Sequence, residues 1–244
     1  MIFNRKYLFK QFPWLKERNL PMVVSADYDG LICASFLHHH LNWEIEGYYD
    51  LNTIWISKKG IEKKPNLIWV DLNILPKQGR AIGGHIISLS EQIPSGFKTS
   101  CNPNILAGIT AQKFEKKFPF SSLIYLLWLH NIEIKNDLLS RLLVLHSDAT
   151  WLKIQNYPLN CSKWQEIMQD YSWNFLFEKI NTKYFERHVD EILYPQLELM
   201  KAVSGKSKLK SYHLKINSKQ FQFNPDWDED IILKLLNLFA LNLD

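Results

Sequence analysis

The stretch VVSADYDGLICASFL sets two carboxylates, Asp27 and Asp29, one residue apart, after a short apolar run and before a glycine. A second apolar run, LIWVD, closes on Asp71, a third carries His85 within GGHII, and LLVLHSDAT ends on His146 and Asp148. Acids that close separate apolar segments meet at one edge when those segments build an open α/β sheet, where ligands bind beyond the carboxyl ends of the strands. Carboxylates sharing one small volume repel each other unless protons or a cation intervene. Carboxylates with imidazole suit manganese, and carboxylates with water suit magnesium. One or two such ions would clamp a phosphodiester and activate water against it. On this reading Asp27, Asp29, Asp71, His85 and Asp148 form the metal-binding set, with Asp29, Asp71 and His85 carrying the catalysis. Arg80 and the loop residues Asn102 and Asn104 are the expected substrate contacts. A local alternative stands beside it: DYDG forms an Asx turn, Asp71 a cap, and His146 a core or capping residue.

These side chains need elements to carry them. The spacing predicts an N-terminal helical segment over 5–18, interrupted by Pro13, then a buried strand over 22–26 and a helix over 30–41. Further strands are expected at 43–49, 53–57, 66–73 and 81–90, the last interrupted by glycines that admit a close backbone approach. Residues 91–104, rich in Pro, Ser, Gly and Asn, read as a long loop. Helices follow over 105–117, 120–131 and 137–147, then an aromatic-rich helical tail over 161–203. A hairpin over 209–223 and an amphipathic helix over 227–242 close the chain. The fold class expected is α/β, a mostly parallel sheet flanked by helices, with a largely helical C-terminal extension. The expected division is a core over 1–150 and a helical region with a hairpin over 151–244.

Composition narrows the class. The chain of 244 residues is 46% hydrophobic and 14% aromatic, enough to bury a large core and incompatible with general disorder. Its net charge of +4 permits a polyanionic partner without demanding one. Three cysteines, widely spaced and without CxxC, suggest free thiols in a reducing compartment rather than a disulfide framework or a zinc site. No signal peptide or membrane-spanning run is read, so a cytoplasmic protein is expected. The basic run KSKLKSYHLK, with Lys58, Lys59, Arg80 and Lys98, could track a phosphate backbone and the tryptophans and tyrosines could stack on bases, although a solvated basic face is the default and most of the aromatics, Trp69 and Trp128 among them, read as core. The triplet His38–His40 falls at a helix end, where favourable charge at the C-terminus explains it better than a shared ion. No P-loop, HExxH or GxSxG pattern occurs.

In the order and spacing of these acids, residues 21–150 resemble the DHH phosphoesterase superfamily, which includes RecJ-like exonucleases, oligoribonucleases and manganese-dependent pyrophosphatases. SADYDGLICASFL matches the first motif in both acids, the glycine and the helix, with Ser25 where the family has His or Asn. Asp71 matches the second motif and Asp148 the fourth. Of the signature Asp-His-His, IGGHII keeps His85 and shows Gly83 and Gly84 at the other two positions. The Gly-Gly-His signature of the family's substrate domain is not evident in the C-terminal half. The resemblance implies a divalent-metal-dependent hydrolase, using one or two Mn2+ or Mg2+ ions, that cleaves single-stranded nucleic acid or short oligonucleotides. The eroded motif also allows a catalytically reduced relative that binds a nucleotide, a nucleic acid or a protein partner, or self-associates, through its C-terminal region. A haloacid-dehalogenase-type phosphatase is a weaker match, because Leu31 holds its threonine position and no convincing lysine motif follows.

Overall fold

Short, β-branched and aromatic runs form the strands, and each is buried where it is central. A computed structural model describes residues 3–49, 53–73, 79–178, 182–199 and 229–243. Helix α1 (Arg5–Gln11) is capped by the Asn4 side chain, and Pro13 opens a separate 3-10 turn over Pro13–Lys16. Strand β1 (Pro21–Ser25) is buried along its whole length, as a strand covered on both faces must be. Then come α2 (Tyr28–Leu41), β2 (Glu44–Tyr49), β3 (Ile54–Ile56), α3 (Lys58–Glu62), β4 (Ile68–Val70), β5 (Arg80–Ile82) and β6 (Ser100–Cys101).

These strands form one six-stranded sheet in the order β3-β2-β1-β4-β5-β6. Every pairing is parallel except that of the edge strand β3, which runs antiparallel to β2. The protein is therefore α/β with a mostly parallel sheet. From β1 the chain moves outward to β2, then returns to lay β4 on the other side of β1, which makes the β1–β4 boundary a switch point. Val24 pairs with Val70 there, so the residues that follow, from Ser25 and from Asp71, leave the sheet side by side. A crevice at such a point is where ligands of open α/β sheets bind.

The remaining helices are α4 (Pro103–Leu106), α5 (Ser122–His130), α6 (Leu138–His146), α7 (Thr150–Asn156), α8 (Pro158–Ile167), α9 (Trp173–Phe177), α10 (Thr182–His188), α11 (Tyr194–Leu199) and α12 (Glu229–Leu243), with a π turn over Val189–Leu193. None of the described helices is long and apolar enough to cross a membrane. One apolar cluster runs from Leu8 to Leu243 and continues across residue 150. Within it Trp43, Trp128, Trp151 and Trp164 are fully buried, and burial of large apolar side chains stabilises by about 1.5–3 kcal/mol each. Helix α12 packs on α2 and α6, and Ser35 on α2 donates to the Leu236 carbonyl at 3.1 Å.

The elements depart from expectation mainly between 81 and 117. The strand expected over 81–90 stops at Ile82, because the carbonyls of Gly84 and Ile86 are taken by side-chain amides of Asn104 and Asn102 instead of a neighbouring strand. The expected loop over 91–104 contains a 3-10 turn and the two-residue β6, too short to show any periodicity. The helix expected over 105–117 is instead α4 and a 3-10 stretch, Ala111–Lys116, with Gly108 at φ 68 between them. The hairpin expected over 209–223 lies outside the described residues.

Candidate active site

Four aspartates from three separate segments meet beyond the carboxyl ends of β1 and β4. Asp27 leaves β1 and caps α2, its Oδ1 accepting the Gly30 N–H at 2.9 Å. Asp29 follows in the first turn of α2, where the positive end of the helix dipole favours a carboxylate. Gly30 has to be glycine, since a Cβ there would lie 2.1 Å from the Ser25 carbonyl oxygen. Asp71 stands one residue past β4 at φ 59, and Asp148 and Ala149 lie at φ 53 and φ 48. Side chains rarely hold such left-handed backbone, and where several do so together the surrounding structure must impose it. Asp148 follows α6, so the fourth acid comes from the end of a helix and not of a strand.

Serines and one imidazole tie these acids together. Asp71 is 2% exposed and sits among Ser25 Oγ at 2.7 Å, Ser122 Oγ at 2.5 Å and His85 Nε2 at 2.8 Å. Ser25 Oγ is also 2.8 Å from Asp27 Oδ1. A hydroxyl has one proton to give, so two ionised carboxylates cannot both accept from Ser25. Either a proton on Asp27 completes the bridge or a cation relieves the pair. Ser147, buried beside Asp148, donates to Asp29. His85 Nε2 also reaches Asp148 Oδ2 at 3.6 Å, so its imidazole lies between two acids while its side chain stays 40% exposed.

The electrostatics follow from this crowding. Burial, then the charge of Asp71, push the Asp27 carboxyl up to about 7. Asp29 is driven well above the ordinary carboxylate range by burial and by Asp148, Asp27 and Asp71. Asp71 goes the other way. Burial would raise it, but the His85 charge and the three hydrogen bonds hold it below its usual value. The Asp71 charge in turn raises His85 to about 10, against the effect of burial.

The other candidates lie elsewhere. Arg80 opens β5 opposite Ile68, at the amino end of the parallel strands, so the fold does not bring it to the acids. Asn102 and Asn104 are completely buried and engaged with protein. Asn102 caps α4, and its amide donates to the Ile86 carbonyl and to Asn73 Oδ1. Asn104 donates to the Gly84 carbonyl at 2.7 Å and accepts the Phe118 N–H at 2.6 Å. Both fasten the loop that carries His85. His146 is packed between the rings of Tyr28 and Tyr194, and burial lowers it to about 4, which makes it a neutral core residue. His38 Nδ1 meets the Trp43 carbonyl at 2.7 Å. The three cysteines are free and buried.

Ser122, Ser147 and Thr150 also take part, outside the set that the sequence predicts. Thr150 Oγ1 donates to the Ser147 carbonyl and accepts the Ser121 N–H, linking the starts of α5 and α7 to the acids. The signal available in the sequence was a serine pair at the start of an apolar helix and a serine adjoining Asp148.

The donor set, carboxylate oxygens with an imidazole, is the chemistry of a manganese or magnesium site. Among the described residues no three His, Cys, Asp or Glu side chains are spaced to hold one ion. The His85 imidazolium occupies the position between Asp71 and Asp148, with the serines on the neighbouring oxygens. Comparison with protein-family models, curated proteins and solved structures gives no match to this chain.

Proposed function

We propose that the protein is a divalent-metal-dependent phosphohydrolase of DHH type that cleaves phosphodiester bonds in single-stranded nucleic acid or short oligonucleotides. The observation that carries the reading is the meeting of Asp27, Asp29, Asp71 and Asp148 around one imidazole at the sheet's switch point, where without a metal ion the charge is relieved by the His85 imidazolium and by the raised carboxyls of Asp27 and Asp29. Holding Mn2+ or Mg2+ would require these carboxylates to draw together and His85 to yield its place between Asp71 and Asp148, since as they stand no three of the described acids and histidines are spaced for one ion. Such an ion would supply Lewis acidity at phosphorus and would lower the pKa of water. The protein's own groups do the rest. Ser122 and the start of α5 fix the Asp71 carboxylate, Ser147 fixes Asp29, and the buried Asn104 holds the His85 loop in register. His85, half in solvent and charged in the absence of an ion, would give up its Nε2 proton to serve as a ligand.

A binding or assembly protein without turnover is the second reading, and one observation favours it. Gly83 and Gly84 replace two signature residues, and a Cβ on Gly84 would lie 2.7 Å from the Phe118 ring, so side chains do not fit there without rearrangement. Incubating the protein with manganese and an end-labelled oligonucleotide separates the two. Cleavage by wild type that Asp29→Ala abolishes supports the hydrolase, and equal behaviour of the two proteins removes it.

A further inference from the structure

A cavity of about 570 Å³ is lined by Phe114, Lys117, Phe118, Lys153 and Tyr157, with Glu115 its acidic lining residue. Its volume is that of a small-molecule site. Its Phe118 wall is tied to the loop that carries His85. The Phe118 N–H donates to Asn104, whose amide holds the carbonyl of Gly84, and Gly84 itself abuts the Phe118 ring one residue before His85. On the other side Lys153 projects from α7, which begins two residues after Asp148. Burial and the neighbouring Lys153 lower the basicity of Lys117 while Asp148 raises it, so these three charges lie within electrostatic reach of one another.

The lining has two kinds of groups. Lys117 and Lys153 are half-buried cations, and neither is in an ion pair among the described residues. The Lys117 ammonium rests 5.9 Å above the Phe114 ring. Phe114 and Tyr157 are each 61% exposed, large aromatic faces left in water at the mouth of a cavity. Cations beside exposed rings are what single-stranded nucleic acid requires, the cations for phosphate and the rings for bases of any sequence.

We infer that this cavity seats one nucleotide of a single strand, its phosphate between Lys117 and Lys153 and its base stacked on Tyr157, so that the adjoining phosphodiester is presented to the carboxylates. The chemistry performed there rests on the hydrolase reading above, whereas the binding does not.

Fluorescence anisotropy of a labelled oligothymidylate, recorded in EDTA so that no cleavage occurs, tests the site. Tyr157→Ala should weaken binding roughly tenfold, as loss of one base–aromatic stack does, and Tyr157→Phe should restore it. The double substitution Lys117→Ala with Lys153→Ala should weaken binding and flatten the log–log salt dependence by about 0.7, the value for one phosphate of a single strand. Lys64→Ala, in the turn that precedes the amino end of β4, should bind as wild type does. Thermal melting establishes that each variant is folded. No binding by wild type, equal binding by all variants, or displacement by polyglutamate as effective as by unlabelled oligonucleotide would overturn the proposal. Binding that depends on Tyr157 and the lysines, without cleavage when manganese is added, would keep this site and remove the hydrolase reading.

Discussion

Ser25 and Asp71 leave adjacent parallel strands and meet at 2.7 Å, Oγ to Oδ2, with Asp27 on the other side of the same hydroxyl. The residue at the end of β1 is thus the junction of the acidic cluster. Ser25→Ala leaves two carboxylates facing each other with no group between them. The expected cost is about 1–3 kcal/mol of stability, the penalty for a buried polar group deprived of its partner. Urea unfolding in EDTA checks it, and a loss below about 0.5 kcal/mol would show that the bridge carries no weight.

Stability should fall as pH rises through the acidic range. Asp27 has its folded pKa raised from 3.8 to about 7, so the folded state keeps a proton that the unfolded chain releases. Its contribution is complete below about 4 and is lost as pH climbs to about 7. His85, raised from 6.5 to about 10, contributes stability that is complete below 6.5 and is lost through about 10. Asp71, lowered, works in the opposite sense and only below its ordinary pKa of 3.8. Thermal unfolding in EDTA should therefore show a midpoint that drops by several degrees between about pH 4 and 7 in wild type relative to Asp27→Asn. Manganese should remove that difference.

Asn104, taken from the sequence as a substrate contact, should behave as a positioning residue. Its side chain makes hydrogen bonds to Gly84, Ile86 and Phe118 inside the protein. Asn104→Ala should destabilise by about 2–3 kcal/mol, several buried polar groups losing partners at once. In a phosphodiesterase assay kcat should fall while KM holds, because the His85 loop loosens and the substrate loses no contact. A raised KM with unchanged stability would return Asn104 to the substrate.

The central strands and the four acids were legible because both depend on local pattern. MVVS and LIWV are apolar runs bounded by polar residues, and strands buried on both faces in a parallel sheet read that way. The segment 81–117 was not legible, because its backbone is satisfied by two buried asparagine side chains and not by a ladder or a helix. Such side-chain-to-carbonyl bonds leave no periodicity. Arg80 reads as a phosphate contact because charge is visible in a sequence and the end of the strand it occupies is not. Ser122 and Ser147 were missed for a similar reason, since serines at helix ends commonly serve as caps, and only the fold turns these two toward Asp71 and Asp29.

The hydrolase reading requires a metal ion to replace the His85 imidazolium and the bound protons among the acids, and calorimetric titration of manganese into metal-free protein tests this most directly. Wild type should take up one or two ions and release protons as it does so, from Asp27 and from His85. Asp71→Asn should lose at least one of those ions. Absence of uptake by wild type, or identical isotherms for the two proteins, would contradict the account.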